Sequence, residues 1–241
     1  MDVSIVIPAY NEARRLPATL EGWREFLNSQ PYAAEIVVVD DGSRDATAAV
    51  AERDGARVIR VTPNQGKGAA VRAGVLVAQG NTITYVDADM NVAPAHLAEA
   101  LARLEAGVDL VVGQRSLAEY AAAEGPIRLA AGALVQVARR ALVLSTIRDT
   151  QCGFKVFRAP LAHAIFSQTR VRSFAFDIEV LFLARKLGAR IVEMPVSTTF
   201  RPESTFDVRK HLPVFLRDIA QIRLNDIRGL YAGSPATMAR C

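Results

Sequence analysis

Thr82-Ile83-Thr84-Tyr85-Val86-Asp87-Ala88-Asp89 is the stretch on which the fold turns. A short run of β-branched and aromatic residues leads straight into two carboxylates one residue apart. Such a run predicts a strand, and the acids mark its end. Helical patterns flank it, near Lys67–Ala78 and Pro94–Leu104. Outward from there the alternation repeats. Val3–Pro8, Glu35–Asp40, Arg57–Val61 and Asp109–Gly113 read as strands, with helical patterns near Leu16–Asn28 and Asp45–Asp54. Alternating strands and helices predict an α/β fold: a mainly parallel sheet flanked by helices on both faces. Ligands of such sheets sit at the C-terminal ends of the strands, and the acids fall there.

Beyond residue 116 the pattern is less regular. Ile127–Thr146 is a long, largely apolar helix pattern carrying Arg128, Arg139 and Arg140. Gly153–Arg158 and Ile191–Val196 read as strands, and Asp177–Leu187 as a helix. Arg209–Leu224 is an amphipathic helix, its stripe made by Leu212, Phe215, Leu216, Ile219 and Ile222 beside Arg209, Lys210, Arg217 and Arg223. The two basic amphipathic patterns suit a lipid surface as well as packing on the sheet. We expect one domain over 1–230, in two halves (1–115 and 116–230), and a flexible tail (231–241).

Composition agrees with a globular protein. Of 241 residues, 51% are hydrophobic and 22% charged, enough for a large core and unlike a disordered chain. No run is long and apolar enough for a membrane-spanning helix, and the start resembles neither a signal nor a transit peptide. The expectation is a cytoplasmic protein, peripheral on the inner face of the membrane. Cys152 and Cys241 give no disulfide framework, and His96, His163 and His211 give no zinc spacing. Residues 1–120 carry 11 Lys/Arg against 16 Asp/Glu, and residues 121–241 carry 18 against 9. A basic second half suits an anionic partner, and an acidic first half suits a cation.

Four polar clusters end the first strands: Pro8-Ala9-Tyr10-Asn11-Glu12, Asp40-Asp41-Gly42-Ser43, Asn64-Gln65-Gly66-Lys67-Gly68 and Asp87-Ala88-Asp89. All lie on the ligand edge, so together they can line one cleft. Alternation along a strand end points Asp87 and Asp89 the same way, and two like charges aimed at one point call for a cation between them. Oxygen ligands suit Mg²⁺ or Mn²⁺, which keep open positions for diphosphate oxygens. The segment around Lys67 is compatible with a nucleotide contact at a helix N-terminus, and equally with a plain loop-to-helix connection. It lacks the spacing of a P-loop, and no dinucleotide-binding or hydrolase motif is present.

The order of these clusters resembles the family 2 glycosyltransferases of the GT-A fold. In the second half, Ile147-Arg148-Asp149-Thr150-Gln151-Cys152-Gly153-Phe154-Lys155 and Phe176-Asp177-Ile178-Glu179 are similar to dolichyl-phosphate β-glucosyltransferases and, next, to dolichyl-phosphate mannose synthases. The resemblance implies that Pro8, Tyr10, Glu12 and Asp40 hold the base and ribose. Asp87 and Ala88 would face the nucleotide, and Asp89 with Asn91 would bind Mg²⁺ or Mn²⁺. Arg115 and Arg128 would meet the diphosphate and the acceptor phosphate. The family's Gly-Ser-Lys segment is replaced by Pro202-Glu203-Ser204-Thr205, leaving Arg201 or Arg209 to take the lysine's place at the diphosphate.

The implied reaction is inverting transfer of a hexose from a nucleotide sugar, UDP-glucose ahead of GDP-mannose, to a polyprenyl phosphate. Such an acceptor is already ionised and needs no general base. A soluble or glycan hydroxyl acceptor would need one, and Asp149, Asp177 and Glu179 are the candidates by position. A non-catalytic nucleotide-sugar-binding module and a sugar nucleotidyltransferase are the readings from other classes. The expected partners are a nucleotide-sugar donor and a membrane-borne acceptor, with no nucleic acid; oligomeric state has no signature in the sequence.

Overall fold

The computed structural model describes residues 1–116, 147–198 and 208–231. Seven strands form one sheet: β1 (Val3–Ala9), β2 (Ala34–Asp40), β3 (Arg57–Arg60), β4 (Thr82–Val86), β5 (Leu110–Gln114), β6 (Phe154–Arg158) and β7 (Ile191–Pro195). The helices are α1 (Leu16–Asn28), α2 (Thr47–Arg53), α3 (Lys67–Val77), α4 (His96–Glu105), α5 (Ala159–Phe166), α6 (Phe176–Lys186) and α7 (Val208–Ile227). The strand order is β3-β2-β1-β4-β6-β5-β7.

β1 is buried along its whole length, because helices cover both faces of the sheet. Its side chains alternate between two cores. Val6 joins Val37, Tyr85 and the apolar faces of α3, α5 and α6 on one side. Ile5 and Ile7 join Trp23 of α1 and Leu97 of α4 on the other.

The predicted parallel sheet is observed with one reversal, since β6 runs antiparallel to both β4 and β5. That reversal matters for the site. Phe154, at the start of β6, pairs with Val86, at the end of β4. The Cys152-Gly153 turn is thereby delivered to the edge where Asp87 stands. β5 and β7 run parallel to each other, with Gln114 opposite Pro195, so Arg115 and Ser197 emerge at the same edge.

Three points sharpen or change the expectations. α5 lies in a stretch to which no element was assigned; Pro160 opens the helix directly after β6. Of the amphipathic stripe on α7, Phe215, Ile219 and Ile222 lie inside the core, so that face packs on the protein and is closed to lipid. Tyr231, expected to begin a flexible tail, is 1% exposed and packs on Phe182 with ring centroids 6.0 Å apart. The helix pattern Ile127–Thr146, with Arg128, and the segment with Arg201 and Pro202–Thr205 lie outside the described residues, as does the side chain of Arg209.

Candidate active site

The loops after β1 and β2 are laced together before any ligand is considered. The Asn11 amide donates to Ser43 Oγ (2.9 Å), the Arg44 amide to Asn11 Oδ1 (2.8 Å) and the Glu12 amide to Thr47 Oγ1 (2.8 Å). Asn11 adopts φ +56°, a left-handed conformation that Asn tolerates better than most residues. Tyr10 projects from this rim, 44% exposed, while Pro8 is buried in β1. Glu12 forms a two-pronged ion pair with Arg15 (2.6 and 2.7 Å) at the start of α1. Asp40, 8% exposed, accepts the Ser43 amide and closes the turn after β2. Its neighbour Asp41 accepts the amides of Gln65 (2.8 Å) and Gly66 (2.7 Å), which fixes the loop ahead of α3.

That loop delivers Lys67. Its ammonium lies 2.5 Å from Asp87 and about equally far from the rings of Phe174 and Phe176, 6.0 Å from each centroid. Burial works against the ammonium charge, but Asp87 prevails and raises its pKa. In return, burial opposes the Asp87 carboxylate, and Lys67 more than offsets it, holding the pKa below the usual range. The repulsion expected between Asp87 and Asp89 is thus relieved on one side by a cation of the chain itself.

Asp89 is different. Among the described residues it has no cation within ion-pair distance, and burial together with the Asp87 charge raises its pKa. Its carboxylate meets the Asn91 amide, Nδ2 lying 2.5 Å from Oδ2. A half-turn of that amide offers the carbonyl oxygen to the same point. A half-buried carboxylate beside an amide oxygen fits a hard divalent cation that keeps open positions. No group of three acidic, His or Cys side chains gathers among the described residues, so these supply few ligands and a diphosphate would supply others. The segment is anchored on two sides: Thr19 Oγ1 donates to the Ala88 carbonyl (2.6 Å), and Val92 bridges to Thr198.

Arg115 closes the other side of a pocket that Asp87, Asn91, Gly153 and Thr198 also line. Asp149 holds its guanidinium in a bidentate grip, at 2.7 Å to Nε and 3.0 Å to Nη2. Burial disfavours that carboxylate, but the Arg115 hydrogen bonds and charge win and lower its pKa. Glu193 accepts the amides of Arg148 (2.7 Å) and Asp149 (3.0 Å) and so orients the clamp.

Within the Ile147–Lys155 and Phe176–Glu179 motifs, several residues take roles that their order in the sequence does not reveal. A Cβ on Gly153 would stand 2.1 Å from Asp87 Oδ2, so only glycine permits this approach. Lys155, fully buried on β6, donates to the Cys152 carbonyl (2.8 Å) and to Asp177 (2.5 Å), which also accepts from Tyr85 Oη (2.6 Å). The legible hint was a lysine inside the apolar run of β6. Asp177 is 2% exposed and Asp149 5%, each already engaged by a cation, so neither stands open to take a proton from a bulky acceptor. Glu179, 0% exposed, is occupied by backbone amides. The structure therefore brings together Tyr10, Glu12, Asp40, Lys67, Asp87, Asp89, Asn91 and Arg115 at one sheet edge, and makes Asp177 a buried counter-ion.

Known proteins resemble this chain in sequence and in fold. The Glycosyl transferase family 2 profile matches residues 4–166. Dolichyl-phosphate beta-glucosyltransferase of Dictyostelium discoideum is 31% identical over 95% of this chain and 76% of its own length. The Homo sapiens enzyme of that name is 32% identical over 82% and 67%. Among solved structures, mannosyl-3-phosphoglycerate synthase from Rubrobacter xylanophilus superposes with a TM-score of 0.74 at 20% identity, covering 98% of this chain and 78% of that one. Glucosyl-3-phosphoglycerate synthase from Mycobacterium tuberculosis, solved with Mn²⁺, UDP and glucosyl-3-phosphoglycerate, gives 0.69 at 20% identity over 93% and 79%. The last two establish the GT-A architecture alone. The profile match over most of the chain, together with relatives above 30% identity, establishes more: the chain is a glycosyltransferase and belongs to glycosyl transferase family 2.

Proposed function

We propose that the protein transfers glucose from UDP-glucose to a polyprenyl monophosphate of the dolichyl phosphate type, with inversion at the anomeric carbon. The names of the relatives support this donor and acceptor. The observation that carries the reading is the state of the second-half carboxylates. Asp149, Asp177 and Glu179, the candidates for a general base, are all engaged by partners and at most 5% exposed. A hydroxyl acceptor needs such a base, whereas a phosphate does not, because its second ionisation lies at about pH 6.

The chemistry left to the protein is alignment and charge screening. Tyr10, Glu12 and Asp40 line the base and ribose end of the cleft, and Lys67 with Asp87 stands where the nucleotide passes into the pocket. Asp89 and Asn91 would hold Mg²⁺ or Mn²⁺, which when bound neutralises the departing diphosphate. Arg115, oriented by Asp149, receives the acceptor phosphate. A phosphate oxygen forms the new bond to the anomeric carbon as the bond to UDP breaks on the opposite side. Arg128 and Arg201 belong to the same proposal from sequence alone.

A lipid acceptor requires approach to a membrane. None of the described helices is long and apolar enough to cross one. On α7 the face opposite the core exposes Leu224 and Ile227 beside Arg217 and Arg223, a pattern suited to lying against anionic headgroups. We assign peripheral membrane association to this face in place of the buried stripe.

The test is transfer from radiolabelled UDP-glucose and, separately, GDP-mannose to short-chain polyprenyl phosphate, with Mn²⁺ or Mg²⁺ and with EDTA. Label from UDP-glucose enters the lipid phase and EDTA abolishes it. Release of UDP without lipid labelling would move the acceptor to another class. Silence with both donors would overturn the assignment.

A further inference from the structure

Glu179 has no part in the chemistry just described, yet it is a fully buried carboxylate held by three donors. It accepts the amides of Arg170 (2.9 Å) and Val171 (2.8 Å) and the hydroxyl of Tyr231 (2.5 Å). Tyr231 is fixed in turn by Asn225 Nδ2 (3.1 Å) on α7. An uncovered carboxylate at this depth would be costly, so the three donors define where segment 170–172 lies.

That segment is the outer wall of the donor loop. The Gly68 amide donates to the Arg172 carbonyl (2.9 Å), and a Cβ on Gly66 would stand 2.5 Å from the same oxygen. A Cβ on Gly68 would stand 2.5 Å from the Val171 carbonyl. The loop is therefore gripped from both halves of the chain, by Asp41 through Gln65 and Gly66, and by 171–172 through Gly68. Between the two grips stands Lys67, 2.5 Å from Asp87.

We infer that Glu179 and Tyr231 are positioning residues for the donor loop, setting Lys67 against Asp87 through segment 170–172 and tying that geometry to the end of α7. The inference rests on the donor reading above only for what Lys67 meets. It is a statement about geometry and not about charge. Gln at 179 can keep its carbonyl on the two amides and turn its amide towards the Tyr231 hydroxyl, whereas Ala keeps nothing.

Two measurements on the full chain test it. Hydrogen exchange without nucleotide should show the 65–68 amides exchanging about tenfold faster in E179A, with β1 unchanged and E179Q like the parent. Calorimetric titration with UDP and Mn²⁺ should show affinity falling about tenfold in E179A and about threefold in Y231F, with E179Q within about twofold. If E179A does not fold, Y231F carries both readouts, since it removes one donor of three. Unchanged exchange at 65–68 in the folded variants would overturn the inference. So would E179Q losing turnover at unchanged UDP affinity, which would make Glu179 a proton acceptor. The exchange effect in E179A, with a parent chain that does not bind UDP, would sink the donor reading and leave the coupling standing.

Discussion

Asp89, just after β4, and Asp177, in the first turn of α6, both lie within reach of the Lys67 charge, yet their circumstances are opposite. Asp89 is half-buried, repelled by Asp87 and, among the described residues, without a cation within ion-pair distance. Asp177 is 2% exposed and takes Lys155 at 2.5 Å and Tyr85 at 2.6 Å. The contrast sharpens when the neighbouring acids are counted. At the strand ends of the first half Glu12 and Asp87 are paired with Arg15 and Lys67, and Asp40 and Asp41 are tied to backbone amides, so Asp89 is the acid left at the open edge. In the second half Asp149, Asp177 and Glu179 are each satisfied internally and orient something else: Arg115, Lys155 or segment 170–172. An acid left short of partners marks where a ligand's charge is awaited; a fully partnered one marks scaffold.

The largest effect should come from the open acid. Asp89→Ala is expected to lower transfer by about a thousandfold, roughly 4 kcal/mol of transition-state stabilisation. Its thermal midpoint should match or exceed the parent's, because the lost carboxylate was disfavoured by burial and by Asp87. Melting curves beside initial rates decide it. A variant that loses stability in step with activity would place Asp89 with the scaffold and break the contrast.

Next in size is the buried pair. Lys155→Met leaves Asp177 charged and unpaired in the core, which costs about 3–5 kcal/mol of stability. The double variant Lys155→Met/Asp177→Asn removes both charges and should recover most of that loss, retaining transfer within about tenfold. Chemical denaturation and rates on the three proteins separate the cases. Should Asp177→Asn alone fold normally and lose transfer as deeply as Asp89→Ala, Asp177 is catalytic and the comparison fails.

The same contrast explains what could be read in the sequence. β1, β2 and β4 were legible because continuous apolar runs end abruptly in polar clusters, and the site's edge followed from a parallel sheet. Tyr10, Glu12, Asp40, Lys67, Asp87, Asp89 and Arg115 stand at that edge. The antiparallel entry of β6 was not legible, since a strand's direction depends on the path of the chain before it. Gly153 against Asp87 follows from that entry and so went unseen. Asp177 and Glu179 stand two residues apart on α6, where residues at that spacing point in different directions. One reaches β6 and the other segment 170–172, contacts set entirely by tertiary packing.

The smallest effects lie within the second half and have opposite signs. Asp149 has a folded pKa below its ordinary value of 3.8, the Arg115 clamp outweighing burial. The folded state binds its proton more weakly than the unfolded chain, so its stabilisation is complete above about pH 4 and is lost as pH falls through the lowered pKa. Glu179 has a folded pKa above its ordinary 4.5, burial outweighing its hydrogen bonds. The folded state binds that proton more tightly, so ionising the group costs stability as pH rises from 4.5 through the raised pKa, and the cost persists above it. Asp149→Asn should therefore lose about 2 kcal/mol near neutrality, the share of a charged hydrogen bond, and lose progressively less towards acid. Glu179→Gln should equal or exceed the parent near neutrality by about 1 kcal/mol, with the advantage vanishing as pH approaches 4.5. Urea unfolding of both variants across that range reads the two slopes directly. Slopes of the same sign would mean that Glu179 is held as a charge, as Asp149 is, and not as a hydrogen-bond acceptor that glutamine can replace.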